Sequence, residues 1–423
     1  MAHRATDTRE FDAGQIVAPE RITTFYSLRF RDFRYLWQGQ IGASASQWME
    51  QLARPFLILE LTDSAFLVGL IAATRMVPML LVGLWAGVLA DRMNKKRILQ
   101  ACQTVTFVSH GVTAILLFTG LIEPWMVFLG TFATGSAQAF NQPARSSLIP
   151  RLVPRYCMAN ALGLNSAAFG SMRVGGPAIG GLVLAVSGFE YLYALQTLVY
   201  VWVLWTTSVI TVETSEARRG RPSMLVDLKE GFGVLHTDRT ILYIMILAVS
   251  LFVFAMPFQA VFIPLIAKDS LGMSNSEASI LISVVGAGAL FGALVIATVG
   301  DSVRQRGLLM IAMIVVMSLS LFLFARGGSL FTAVPALLIA GAMQTSFNSL
   351  NNAFVLGRTP PELHGRVMSL FSLDRGLVPL GATLAGALAA AIGPEDALTI
   401  MAGICLVNTL LVALLVPSLR RIA

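Results

Sequence analysis

Apolar runs long enough to cross a bilayer alternate with short polar breaks along all 423 residues of the chain. About twenty apolar residues in a helix span the ~30 Å hydrocarbon core, where each backbone polar group must be satisfied within its own segment. With 56% hydrophobic and only 13% charged residues, the chain is too apolar for a soluble globule. The runs predict twelve spans, at 34–61, 64–90, 97–119, 123–148, 157–187, 190–212, 240–267, 276–300, 307–325, 329–356, 366–392 and 396–417. The expected fold class is therefore an all-α membrane protein. Its longest break, 213–239, carries Arg218, Arg219, Arg221 and Pro222 before an amphipathic stretch, 225–232, and reads as a linker on the membrane surface. It separates a bundle at 34–212 from one at 240–417, with tails at 1–33 and 418–423.

Net charge is +7, from 30 Lys and Arg against 23 Asp and Glu. In a soluble protein that excess would raise nucleic acid as a partner. On the span map, 24 of the cations lie in or beside segments on one side, two on the other (Lys268, Arg326) and four inside spans (Arg54, Arg75, Arg173, Arg375). Such asymmetry is the positive-inside rule, so the expected partner is the lipid bilayer and not nucleic acid, with both termini cytoplasmic in a multi-pass protein of the cell (inner) membrane. The N-terminal tail holds no signal-peptide core and reads as cytoplasmic. Cys102, Cys157 and Cys405 have no metal-like spacing and read as small hydrophobes. His3, His110, His236 and His364 are scattered without a ligand partner at helical spacing, and no phosphate-binding loop is present. No metal or cofactor is expected, and no ATPase.

Two halves are related at a near-constant offset, 210 residues at first and 202 after a shorter loop. A shift of 210 residues lays Ser64 on Ser274, Asp91 on Asp301, Leu99 on Leu309, Ser136 on Ser346, Asn141 on Asn351 and Pro150 on Pro360. After a shorter loop, Arg173 and Pro177 fall on Arg375 and Pro379. Six-helix bundles repeated about a pseudo-twofold axis belong to alternating-access transporters, whose site sits at the midplane between the repeats.

The first span carries Gln40, Ser44, Gln47, Gln51 and Arg54 on one helical stripe, with Glu50 beside it. A polar stripe in a spanning helix either lines a water-filled cavity or packs on other polar helices. The tenth span repeats the pattern with Gln344, Asn348 and Asn351. Near mid-span lie Glu50, Arg54, Arg75, Arg173, Asp374 and Arg375; facing lipid, each charge costs roughly 2.5–3.5 kcal/mol, so they are expected to point inward and pair. Glu50 and Arg54, four residues apart, can pair within one helix. These charges read either as latches joining the halves or as working groups. In the second reading Glu50 or Asp374 exchanges a proton, because a carboxylate can be neutralised while an arginine stays charged. The cavity candidates are then Gln47, Gln51, Arg54, Arg75, Asn141, Arg173, Gln344, Asn348 and Arg375. On the seventh span, Phe252, Phe254, Met256, Phe258 and Phe262 near Pro257 and Pro264 read first as packing and second as an adaptable cavity wall.

Residues 87–97, Gly-Val-Leu-Ala-Asp-Arg-Met-Asn-Lys-Lys-Arg, resemble the helix 2–3 signature of the major facilitator superfamily. Asn94 stands where the family has glycine; asparagine tolerates a left-handed backbone next best, so the turn is expected to survive the change. Gly176-Pro177-Ala178-Ile179-Gly180-Gly181 on the fifth span resembles the antiporter signature of the same superfamily, although Met172 replaces its upstream glycine. The stretches 61–64, 75–78, 143–150 and 159–162 are similar to the exporter branch that contains the enterobactin exporter and macrolide efflux proteins. That resemblance implies twelve helices in two bundles. The gating candidates are Gly87, Asp91, Arg92, Arg145, Gly176, Pro177, Gly180 and Gly181; Asp91, at a helix end near the cytoplasmic end of the fourth span, is expected to pair with Arg145 and close that side.

The function expected is secondary transport: a monomeric, proton-coupled antiporter that exports a small organic solute, drug-like or siderophore-like, and is not an enzyme. The alternatives are a facilitator or importer of the same fold, a different coupling ion, or a transport-dead receptor or scaffold. Mid-span charges favour transport, because a scaffold gains nothing from such costly residues.

Overall fold

A computed structural model describes residues 23–92, 94–211, 239–299, 303, 305–358 and 376–416, with 80, 82–92, 239–241 and 356–358 described by backbone alone. Among these the chain is helical apart from short turns, and most helix ends fall within a few residues of the predicted breaks; the predicted start of the eleventh span, 366, lies outside the described residues. The first half comprises α1 (Arg31–Thr62), α2 (Ala65–Arg92), α3 (Lys95–Phe118), α4 (Pro124–Leu152), α5 (Met158–Val186) and α6 (Phe189–Val209). The second comprises α7 (Arg239–Ser250), α8 (Phe262–Asp269), α9 (Asn275–Val299), α10 (Arg306–Arg326), α11 (Leu330–Arg358), α12 (Val378–Ile392) and α13 (Pro394–Leu415). Eight of the described segments are long and apolar enough to cross a membrane, and Ala65–Met79 and Val378–Ile392 are shorter apolar helices. α1 and α4 have the length without the apolarity, because their interiors hold glutamine, threonine and charge.

The predicted seventh span is not one α-helix. After α7 the backbone widens into a π-turn, Leu251–Ala255, tightens into a 3-10 turn, Met256–Phe258, and resumes as α8. Pro257 supplies the cause: it lacks an N–H and its ring displaces the preceding turn. Phe252, Phe258 and Phe262 pack in the core while Phe254 and Met256 are half-buried, so three of the five aromatic and methionine candidates are packing residues.

Within the first half α2 and α3 pack on α4, α3 on α6, and α1 on α5 and α6; within the second, α9 and α10 pack on α11 and α10 on α13. The same pairings recur in the two halves. Two local details recur with them, the first at the 210-residue offset and the second between glycines 206 residues apart. Ser64 accepts from Leu67 N–H at the start of α2, as Ser274 accepts from Glu277 N–H at the start of α9. Gly135 on α4 seats against the carbonyl of Arg75, as Gly341 on α11 seats against that of Val285, contacts that a Cβ would obstruct. The halves meet where α5 packs on α9 and α2 on α12. There Gly69 and Gly386 bring two backbones into direct contact.

The helix 2–3 turn differs from expectation. Asn94 is not left-handed; with φ −63° and ψ 115° it is the N-cap of α3, and its side chain accepts from the N–H groups of Lys96 (3.0 Å) and Arg97 (3.2 Å). Its cap chemistry, not its tolerance of positive φ, suits it to the turn. Among the described non-glycine residues, the left-handed one is Asp63 (φ 48°), closing α1. All three cysteines are buried and free. The linker 213–239, apart from its last residue, and the tails beyond 23 and 416 lie outside the described residues.

Candidate functional site

Three polar layers run through the bundle. The first lies inside the first half. Arg54 forms an ion pair with Glu50 one turn earlier on α1, and donates from Nη2 to Thr134 Oγ1 on α4 at 2.5 Å. His110 on α3 places Nε2 3.1 Å from Glu50 Oε1, close but out of line for a hydrogen bond, and neither ring nitrogen has a hydrogen-bond partner. Tyr193 and Tyr200 of α6 meet the imidazole edge-on, with ring centroids 6.0 and 5.5 Å away. Glu50, Arg54 and His110 are each at most 6% exposed. Arg75 of α2 belongs to the same electrostatic neighbourhood. A carboxylate removed from water is tolerated only beside such partners, since removing one partner of a buried pair typically costs about 3–5 kcal/mol.

The second layer bridges the halves at mid-depth. Arg173 of α5 donates from Nη2 to Gln344 Oε1 (2.6 Å) and from Nη1 to Thr345 Oγ1 (3.1 Å), both on α11. Its guanidinium lies over the Trp48 ring at 5.3 Å, and its Nε is buried without a hydrogen-bond partner. The Gln344 amide also donates to Met256 Sδ at the break in the seventh span. Gln138 of α4 donates to Gln47 of α1 (3.1 Å).

The third layer closes one end. Lys268 Nζ reaches Asp63 Oδ1 at 2.9 Å, and Asn275 donates to Glu60 at 2.9 Å, tying the end of α1 to the turn between α8 and α9. Among the described residues, the side-chain hydrogen bonds between the halves lie at mid-depth or at this end.

The sequence candidates distribute unevenly over these layers. Glu50 and Arg54 pair as expected, but Arg54 is sequestered against α4 inside the first half and not on an open wall. Arg173 and Gln344 come together. Gln51, Arg75, Asn141 and Asn348 are half-buried on α1, α2, α4 and α11. Arg145 is buried and donates to Leu36 O at 3.0 Å. Gly87, Asp91 and Arg92 are described by backbone alone, as part of α2, while Asp374 and Arg375 lie outside the described residues, and with them the proposed Asp91–Arg145 pair. The fifth-span motif presents two faces: Gly176 and Gly180 abut Trp48, Met49 and Leu52 of α1, and Gly181 abuts Ser279 of α9 in the other half. Pro177 between them is buried.

His110 was missed. A signal was present: Gln103, Thr106, His110 and Thr113 recur at three, four and three residues, a polar stripe on the third span to match the one on the first. Among the described residues no group of three or more His, Cys, Asp or Glu side chains is placed to hold a metal ion.

The family described as "Transmembrane secretion effector" matches residues 22–421. The chain belongs to that family. It is a major facilitator transporter, not an enzyme, as the helix 2–3 resemblance implied. Macrolide efflux protein A of Streptococcus pyogenes is 26% identical over 85% of this chain and 90% of its own length. The staphyloferrin A transporter of Staphylococcus aureus is 25% identical over 85% of this chain and 87% of its own. In solved structures, a peptide transporter of the POT family in complex with sulfate superposes with a TM-score of 0.77 at 11% identity, over 95% of this chain and 99% of its own, a likeness of fold alone. As a transmembrane secretion effector, the chain is a multi-span membrane protein whose relatives carry organic solutes.

Proposed function

We propose that this transmembrane secretion effector exports an amphipathic organic solute by alternating access of two pseudo-twofold-related six-helix halves, in exchange for protons. The observation that carries the reading is the separation of two kinds of polar group. A neutralisable carboxylate, Glu50, is enclosed inside one half, whereas a cation that cannot shed its charge, Arg173, lies between the halves with an aromatic face and amide and hydroxyl groups around it. Glu50 suits an ion-coupling role, and Arg173, Gln344, Trp48 and Met256 suit an organic solute that has both acceptor groups and apolar surface. Efflux of a macrolide by one relative and transport of a siderophore by another support a solute of that size and mixed polarity. Asp374, in the second half, is the alternative coupling carboxylate.

The glycine contacts between α2 and α12 and between α5 and α9 suit halves that rock against one another, and the Asp63–Lys268 and Glu60–Asn275 bonds suit the latch of a state closed at that end. Under the positive-inside assignment that end is extracellular, so the latched state faces the cytoplasm.

The test uses purified protein in proteoliposomes with a radiolabelled macrolide as the probe solute. An imposed inward proton gradient should drive wild-type export, and Glu50→Gln should abolish that response yet keep downhill exchange of labelled for unlabelled solute. Gradient-driven export that survives in Glu50→Gln, in Asp374→Asn and in the double variant would refute proton coupling through either carboxylate.

A further inference from the structure

Buried histidines usually hydrogen-bond through at least one nitrogen, because an unpartnered polar atom away from water costs about 1–3 kcal/mol. His110 is 1% exposed, and neither of its nitrogens has such a partner. Its Nε2 nevertheless faces the one buried carboxylate among the described residues, at 3.1 Å. An imidazole is the side chain that can hold a proton on one nitrogen while releasing another from its opposite side.

We propose that His110 and Glu50 form a single proton-sharing site, with the imidazole as the relay through which the carboxylate is loaded. This rests on the reading of Glu50 as the coupling group and adds a second residue to it. A proton from bulk water binds the lone pair of His110 Nδ1. The imidazolium then releases its other proton from Nε2 to Glu50 Oε1, the N–H electron pair remaining on nitrogen. The ring returns to its neutral form, and Glu50 becomes a neutral acid. A small turn of the ring about χ2 brings Nε2 into line with the carboxylate, as in many sites whose proton-transfer contacts are poorly aligned at rest.

The neighbours weigh on that sequence in both directions: Glu50 favours the imidazolium, whereas the cations Arg54 and Arg75 oppose it, so the charged ring is a short-lived carrier. Glu50 faces His110 from α1, with Arg54 on the carboxylate's other side; Arg75 is the nearby cation on α2; Thr134 of α4 holds Arg54; Tyr193 and Tyr200 of α6 bracket the ring. On its own helix, Thr106 and Thr113 donate to the backbone, to Cys102 O and Ser109 O, and do not compete for the ring. Neutralising Glu50 dissolves its ion pair and leaves Arg54 with Thr134 of α4 and Tyr193 of α6. Proton loading thereby becomes a mechanical event between α1 and α4.

The experiment titrates Glu50 itself and needs no solute. Purified wild-type protein in nanodiscs is followed by infrared difference spectroscopy through a pH series, the Glu50 carboxyl band being the one absent from Glu50→Gln. His110→Gln keeps a neutral hydrogen-bonding group, and His110→Phe keeps an aromatic filler between the tyrosines. Both variants should move the band's midpoint by about one pH unit or more, the coupling expected of two interacting sites, while thermal stability in His110→Phe stays near wild type. An unchanged midpoint in both variants overturns the proposal and makes His110 a packing residue. A Glu50 band that never titrates overturns it as well. If the two residues titrate together but a proton gradient does not drive export, the proton-sharing site stands and the antiport reading falls.

Discussion

The two halves of this transporter repeat the same helix pairings around different interiors. Among the described residues, every buried charged or imidazole side chain, namely Glu50, Arg54, His110 and Arg145, lies in the first half. The second half buries Gln259, Gln344, Asn351 and several hydroxyl groups in a core of Phe258, Phe262, Met310, Met313 and Phe347. Among the described residues the second half makes the same helix pairings without a buried charge, while its mid-span Asp374 and Arg375 lie outside them. The described polar groups place a fixed and a neutralisable charge in separate layers, Arg173 between the halves and Glu50 inside the first.

The largest effect expected is at Arg54. Arg54→Met leaves Glu50 buried without its cation and should destabilise the protein by about 3–5 kcal/mol and abolish export. Adding Glu50→Leu removes the orphan charge, so the double variant should regain most of the lost thermal stability and none of the gradient-driven export. A double variant that still exports would erase the functional distinction between the halves. Restored stability without transport sharpens it.

An intermediate effect is expected between the halves. Arg173→Lys keeps the charge and loses the fork that spans Gln344 and Thr345, along with the stacking on Trp48. Hydrogen bonds to charged groups contribute about 1.5–3 kcal/mol, so solute affinity measured by equilibrium binding should fall roughly tenfold or more. Unchanged affinity with a large loss of thermal stability would make Arg173 a latch.

The smallest effect is expected at the closed end. Asp63 is left-handed (φ 48°), a conformation glycine adopts without strain, and its pair with Lys268 is exposed. Exposed pairs contribute about 0–1 kcal/mol, so Asp63→Gly should leave thermal stability within about 1 kcal/mol of wild type. It should still alter the rate of exchange if this contact latches one state.

Much of this architecture was legible in the residue order, because bilayer crossing imposes a run length that sequence displays directly. Ser64 and Ser274, which the 210-residue offset aligns, each cap the helix that follows. The Glu50–Arg54 pair could be read because i,i+4 spacing on a helix settles proximity without tertiary knowledge. What was hidden depends on which helices touch. His110 meets Glu50 only because α3 and α1 both turn their polar stripes towards α4 and α6, and no spacing within either helix encodes that. The break in the seventh span was half-visible: Pro257 marked a defect, but the π-turn before it reflects how the backbone absorbs that defect. Asn94 shows the opposite error, a residue judged by its tolerance of positive φ whose side-chain oxygen was the deciding feature.

The central claim is that solute binding between the halves and proton binding inside the first half are one coupled event. The most direct measurement adds macrolide to purified protein in weakly buffered medium and records the pH change. Proton release on solute addition, lost in Glu50→Gln while that variant still binds solute, is the predicted result. Solute binding with no proton release in the wild type, or with release undiminished in Glu50→Gln, would contradict it.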